Sequence, residues 1–548
     1  MNRAPRTAAG FAALFTAALS SAALAQEPKT TFTIVNTAPI IGKNYNPYTP
    51  ASQHLSPTLS AIYESLFYVN SNSGKIENVL GTAYTWSKDS KTLSVTTRSG
   101  VKWSDGQAFS AADVAFSFNY IKANPGLDLT GIWKSGVSSV SATGPNTVVI
   151  SFERVNTPFF FYIAHLPIVP EHLWKDVKDP VTFTNDKPVG TGPFVAETYT
   201  PQAIRALKNP NYWIKGRPYV DAVVFLSTNG NDAALLKLLK GEADYSFVSI
   251  PDPNKDYKSK GPNFDYWYVP NGVNALYFNT TKAPFNDPAF RRAIAGAIDT
   301  KDVAIKAYAG AAPPADPTGI LPAQLGQWKP STLSGLAPKY DPAAADKALT
   351  AAGYKKDAQG NRLGKDGKAL PSYRILVGSG WTDFITMAQV VGDNLKRLGI
   401  ATTIDQQVYA SYAGTLQSAT YDMGVSWGWG GGPTPYNLYY QSFAPEFSAA
   451  PGKTSASNLT RYTNPVVTKA IADFSATSDP ISQRKAAAVM ITQVLKDQPW
   501  VPLTARTSFN VYNTSKFSGF PSDKDPYNDG NASDTVSARS MLLNVKPK

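Results

Sequence analysis

The sequence predicts an α/β protein of more than one domain, and three observations carry that prediction. At 548 residues the chain is too long for a single hydrophobic core, and its length favours about three domains. Strand-like and helix-like apolar patterns alternate along most of it, which is the order of an α/β fold. From Tyr84 the pattern turns all-β, and strands return over Val137 to Phe152, so a β-rich unit interrupts that order.

The elements follow in order. TFTIVN (Thr31 to Asn36) reads as a strand, and NYNPYTP (Asn44 to Pro50) as an extended loop. Leu59 to Tyr68 has helical spacing through Ile62 and Leu66 before shifting to a strand. Tyr84 to Trp103 alternates apolar and polar residues, with turns at Lys88-Asp89-Ser90 and Ser104-Asp105-Gly106. Ser110 and Asp113 form a capping box that opens a helix burying Val114, Phe118 and Ile121. The aromatic run PFFFYI (Pro158 to Ile163) reads as core, and DKPVGTGPF (Asp186 to Phe194) as a sharp structural junction.

Further on, Asp232 to Leu239 is predicted helical with Leu235, Leu236 and Leu239 inward. Ala275 to Asn279 reads as a strand. Asp287-Pro288 and Asp341-Pro342 are N-cap and N1 pairs, the first followed by Phe290, Ile294 and Ile298 on one face. Gly360 to Lys368 reads as an exposed hairpin or linker. Tyr373 to Val377 and Ala401 to Val408 are strands flanking a helix from Phe384 to Leu398, stopped by Gly399. Lys485 to Leu495 is helical, and Trp500 to Asn513 returns to strand.

Composition narrows the function classes. Arg3 and Arg6, an apolar run from Gly10 to Leu24 and the Ala23-Leu24-Ala25 cleavage pattern make residues 1–25 a secretory signal, with no second apolar run long enough to span a membrane. The chain has no cysteine, which excludes disulfides, thiolate metal sites, cysteine nucleophiles and a lipid-modified cysteine after the leader. A soluble periplasmic protein is the expectation. The net charge of +12 is spread without a basic run, which argues against nucleic acid. No phosphate-binding glycine loop occurs. The three histidines, His54, His165 and His172, lie in no metal-ligand spacing; the last two read as structural, and no metal or other cofactor is expected.

The stretch from Tyr421 to Tyr440, YDMGVSWGWGGGPTPYNLYY, stands apart. Its two tryptophans, four tyrosines, five glycines and two prolines suggest a strand, Met423 to Trp427, running into a ligand-contacting loop with no regular helix.

Several motifs in order resemble the family 5 extracytoplasmic solute-binding proteins of ABC importers, which include oligopeptide, dipeptide, nickel and oligosaccharide binders. They are YESLFY (Tyr63 to Tyr68), SGVKWSDGQAFSAADVAFSF (Ser99 to Phe118), and VGTGPF with ALKNPNYW (Val189 to Trp213). YFNTTKAPFNDPAFRRAIAGAID (Tyr277 to Asp299), YDPAAADKALTAAGY (Tyr340 to Tyr354) and LKRLGI (Leu395 to Ile400) with Tyr421-Asp422 complete the set. The resemblance implies a two-lobed, type II periplasmic-binding-protein fold with an extra β-rich domain, closing on ligand about a hinge. On that pattern lobe I takes residues 26–60, 186–284 and 498–548, the extra domain 61–185, and lobe II 285–497. It also implies a monomer that hands a small-molecule ligand to a membrane permease and is not an enzyme.

The family's peptide binders carry an acidic residue before a proline in the loop after the tryptophan-bearing strand, where it meets the peptide's ammonium. Here that dipeptide is Thr434-Pro435, and Glu446 is the only acid between Met423 and Thr460. An enclosed cation without a counter-charge costs several kcal/mol, so the departure disfavours a free peptide amine. Trp427, Trp429, Tyr436, Tyr439, Tyr440 and Trp381 instead offer flat faces for pyranose rings. Thr434, Asn437, Asn271 and Gln53 offer neutral hydrogen bonds. With Trp267 and His54 these complete the candidate ligand-binding residues, for a neutral, β-linked oligosaccharide. An oligopeptide or dipeptide is the alternative ligand. A secreted glycoside hydrolase is the third reading, though the aromatic stretch lacks the carboxylate pair that chemistry needs.

Overall fold

The computed structural model describes residues 28–38, 40, 42–50, 55, 57–333, 335–428, 432–455, 457–528 and 536–548. The leader expected over residues 1–25 lies outside them, as do Gln53, His54 and Trp429.

Ten strands make one continuous sheet with two halves. One half carries Thr402–Gln407, Tyr373–Gly378 and Met423–Trp427; the other carries Tyr245–Ser246, Thr31–Asn36, Ala222–Ser227, Ala203–Lys208 and Phe194–Tyr199. Between them run two long antiparallel strands, Phe264–Phe278 and Trp500–Asn513. Their pairing slips between Pro270 and Gly272 and again between Asn274 and Ala275. Each slip is an extra, unpaired residue that bends the ribbon. The two lobes therefore share a double-stranded connection, irregular at Asn271 and Leu503.

In both halves the strands at the centre are parallel: Thr31–Asn36 with Ala222–Ser227, and Tyr373–Gly378 with Thr402–Gln407 and Met423–Trp427. Their carboxyl ends point at the same cleft, because the turns just beyond them touch. The Asn231 N–H donates to the Gly380 carbonyl at 3.0 Å. Gly230 (φ +96°) makes this approach possible, since a Cβ there would fall 2.5 Å from that carbonyl oxygen.

The β-rich unit is a separate antiparallel sheet of Gly81–Trp86, Thr92–Thr97, Thr147–Phe152 and Val137–Gly144. The helix Ala111–Ala123 packs on it, started by the expected Ser110/Asp113 capping box and burying Val114, Phe118 and Ile121. The junction at Gly190 and Gly192 threads past the carbonyl of Ile62 so closely that a Cβ on Gly190 would sit 1.9 Å from that oxygen. Asp287 and Asp341 cap their helices with Pro288 and Pro342 at the first position, as their sequence spacing indicates.

Three sequence expectations are corrected. Pro435–Phe443 is a regular α-helix inside the stretch read as a loop, because Pro435 occupies N1, where its missing N–H costs nothing. In the helix Asn231–Leu239, Leu235 and Leu239 pack against the core as expected, beside the fully buried Ala234 and Leu238, but Leu236 is 51% exposed because it falls on the opposite face. Around Gly360 to Lys368 the chain does pair as a hairpin, through Lys356–Arg362 and Leu363–Ala369. It is no mere exposed linker, for Arg362 is fully buried, donating to the carbonyls of Leu398 and Tyr354 and pairing with Asp346.

Candidate ligand-binding site

The strand Met423–Trp427 delivers Trp427 to the cleft at its carboxyl end, the usual ligand position in an open α/β sheet. There Trp427 lines a partly open void of about 290 Å³. One wall is the loop Pro47–Pro50 with Leu129, Thr130 and the segment Tyr162 to Pro167. The opposite wall is the helix Tyr409–Gln417, through Tyr409, Tyr412, Leu416 and Gln417, with Ser426, Gln441 and Ser457.

The wall is apolar, in part aromatic, and neutral. Trp427 packs against Trp381, Phe384 and Tyr412, with ring centroids 5.7, 6.2 and 6.4 Å away. Tyr48 donates to the Pro167 carbonyl at 2.9 Å and Tyr412 to that of Val425 at 2.8 Å, so both rings are fixed by their hydroxyls. Burial pushes the hydroxyls of Tyr48, Tyr162 and Tyr412 far above the ordinary phenol range, which keeps them un-ionised. Among the described residues no Asp, Glu, Lys or Arg lines the void. The guanidinium of Arg506, on the strand Trp500–Asn513, stands over the Trp427 ring, 5.6 Å from its centre.

Two contacts close the cleft beside this void. On one side Asn231 donates to the Thr382 hydroxyl at 3.1 Å and to the Asp383 carboxylate at 3.2 Å, while Tyr308 donates to the other oxygen of Asp383 at 3.0 Å. Burial raises the Asp383 carboxyl above its ordinary value, opposed by those two hydrogen bonds. On the other side Phe159 and Tyr162 meet Tyr440, with centroids 5.7 and 5.9 Å apart, and Tyr162 donates to the Asn437 carbonyl at 3.3 Å.

The residues picked out in the sequence are divided by the fold. Trp427 lines the void and Trp381 buttresses it. Tyr436, Tyr439 and Tyr440 are buried on the helix Pro435–Phe443; Tyr436 is stacked between Tyr440 and Phe474, and none of the three is among the lining residues. Thr434 is the N-cap of that helix, its hydroxyl 3.3 Å from the Asn437 side-chain oxygen, and Asn437 is buried beneath Gly432. Asn271 sits at the first slip of the hinge, bonded to Ser508. Trp267 donates to Asp523 at 2.5 Å, within the lobe that holds the N-terminal strand.

The lining also includes residues that the sequence did not single out: Tyr48, Thr49, Tyr162, His165, Tyr409, Tyr412 and Gln441. The helix Tyr409–Gln417 follows directly on the parallel strand Thr402–Gln407, so the rule that ligands bind beyond strand carboxyl ends would have found it. The Tyr162 to Pro167 segment carried no such signal, being indistinguishable from core by composition.

Residues 75–449 match the family profile described as "Bacterial extracellular solute-binding proteins, family 5 Middle". The glutathione-binding protein GsiB of Salmonella typhi is 26% identical over 485 residues, covering 86% of this chain and 89% of that protein. Among solved structures, a mannohexaose-bound periplasmic oligopeptide-binding protein of Thermotoga maritima superposes with a TM-score of 0.88 at 25% identity, over 95% of this chain and 99% of that one. The oligopeptide-binding protein AppA of Bacillus subtilis, in complex with a nonapeptide, superposes at 0.78 with 20% identity and shares the fold. No helix among the described residues is long and apolar enough to cross a membrane.

Proposed function

Because the chain belongs to the bacterial extracellular solute-binding proteins of family 5, we propose that it captures a neutral, β-linked oligosaccharide in the void at Trp427 and presents it to the permease of an ABC importer. Family 5 proteins bind small solutes and work with such permeases; the sugar is this proposal's own content. One observation carries it: the lining combines aliphatic and aromatic side chains with a few hydroxyls and amides, and no Asp, Glu, Lys or Arg is among its described residues. A zwitterionic peptide enclosed there would bury its ammonium and carboxylate without counter-charges, at a cost of several kcal/mol. A sugar needs only ring faces and neutral hydrogen bonds. The mannohexaose-bound relative supports the same choice.

In this reading Trp427 is the stacking platform, buttressed by Trp381, with Trp429 next along the chain. Gln417, Ser426 and Gln441 bond hydroxyls, and closure about the Asn271 bend seals the ligand. The protein is a carrier of solute in the periplasm and performs no chemistry on it. A second reading, glutathione or a peptide, is favoured by the glutathione-binding relatives and by Arg506, whose charge lies near the Trp427 ring. Calorimetric titration with manno-, cello- and xylo-oligosaccharides, against glutathione and a peptide pool, separates them. Heat from an oligosaccharide alone is expected; heat from glutathione or peptide without any from sugar overturns the proposal.

A further inference from the structure

His165 lines the void from the end of the short helix Phe160–His165, and the arrangement described so far leaves its ring without a task. The backbone N–H of Val69 lies 2.9 Å from its Nε2. A backbone N–H can only donate, so Nε2 must hold a lone pair, and the proton of the neutral ring is therefore on Nδ1. Nδ1 has no protein partner among the described residues, and it is not one of the sealed polar atoms. The ring cannot easily turn. Tyr68 stacks on it with centroids 6.1 Å apart and planes at 18°, and Phe161 meets it edge-on at 4.4 Å. Burial pushes the imidazole down to about 4, with no charged neighbour contributing, so it stays neutral in any periplasm-like medium.

We propose that His165 is a specificity-determining residue whose Nδ1–H donates a hydrogen bond to an oxygen of the bound solute. The inference rests on the oligosaccharide reading, which supplies the acceptor as a ring or hydroxyl oxygen. What distinguishes this group from the rest of the wall is that it works in one direction. The hydroxyl of Ser426 can rotate, and the amides of Gln417 and Gln441 carry both a donor and an acceptor. A tautomer pinned by a main-chain N–H can only donate from Nδ1. It therefore requires an acceptor oxygen at that point and disfavours an ammonium or amide N–H placed there.

The test uses mannohexaose as probe and pairs two variants that separate structure from binding. In His165→Gln the amide oxygen can still accept from Val69 while the fixed donor is lost. Stability should then hold and affinity should fall about tenfold. In His165→Asn an amide N–H falls near the Nδ1 position but Val69 loses its acceptor, so stability should drop while more of the affinity remains. Opposite orders of stability and affinity support the proposal; unchanged affinity in His165→Gln overturns it. Independently of any variant, nitrogen-15 NMR of the wild-type protein should show the Nδ1–H tautomer and a shift of that proton when mannohexaose is added. An Nε2–H tautomer, or a resonance that sugar does not move, overturns the role of His165 alone. Failure of the wild-type protein to bind any neutral oligosaccharide would instead overturn the functional reading, and the proposed acceptor with it.

Discussion

Trp427 and Tyr436 belong to one aromatic stretch, yet they end in different physical environments. Trp427 stands half-buried at a strand's carboxyl end, where the parallel strands of its lobe stop and the cleft begins. Tyr436 lies in the first turn of the helix Pro435–Phe443 and is sealed between Tyr440 and Phe474. The same side-chain chemistry lines a void in one place and serves cohesion in the other. Aromatic density alone therefore does not mark a site; what marks it is whether the backbone ends or continues there.

The contrast can be broken from the core side first. Tyr436→Ala should cost about 3–5 kcal/mol of stability in chemical denaturation, as for other large core truncations, while the folded fraction keeps its affinity for sugar. A loss of affinity with stability intact would move Tyr436 into the site and erase the distinction.

The next effect is acid sensitivity of the wall. His165 has a folded-state pKa near 4, below its ordinary 6.5, so the native state prefers the neutral ring. Its contribution is fully present above about pH 6.5 and is lost as the pH falls towards 4, at most on the order of 3 kcal/mol. The hydroxyls of Tyr48 and Tyr162 line the same space, and no carboxylate or ammonium among the described residues does, so nothing there offsets the charge. Denaturation midpoints from pH 7 to pH 4 should fall more steeply for the wild-type protein than for His165→Gln. Parallel curves would remove His165 from the balance.

From the cleft side, Trp427→Ala should weaken oligosaccharide binding by about 1–2 kcal/mol in calorimetry, the loss of one stacked ring. Asn231→Ala removes the two polar contacts that hold Thr382 and Asp383 to the other lobe, and should shift the unliganded protein toward a more open form by about 1 kcal/mol. Small-angle scattering reads this as a larger radius of gyration, and an unchanged radius would show that the Asn231 N–H bond to Gly380 and the aromatic contact at Tyr162 and Tyr440 suffice to hold the cleft. The smallest change is expected at Thr434, whose hydroxyl makes no bond to the N-terminal amides it caps. Thr434→Asp should stabilise by about 0.5 kcal/mol through capping. If it also confers peptide binding, Thr434 does occupy the position of the acid in the peptide binders.

Local chemistry made much of the architecture legible. The strands Thr31–Asn36, Met423–Trp427 and Trp500–Asn513 begin and end where alternation and turn residues say they should. Asp287-Pro288 and Ser110-Asp113 start helices because their side chains satisfy the first free N–H groups, a matter of neighbouring residues alone. Misreadings arose where a local rule had two outcomes. Pro435 both breaks and begins helices, and the leucines of Asn231–Leu239 fit more than one buried face.

By itself the sequence determined the α/β order, the capped helices, the absence of cysteine chemistry and an aromatic stretch over Tyr421 to Tyr440. Only the tertiary structure decided which aromatics line the void at Trp427. It also brought Tyr48, Tyr162 and His165 to the same void as Tyr412 and Trp427, from segments hundreds of residues apart. The reason is that a cleft between lobes is a property of two sheet halves and the bent ribbon joining them. Membership in its wall depends on where strands stop in space, which no periodicity along the chain records.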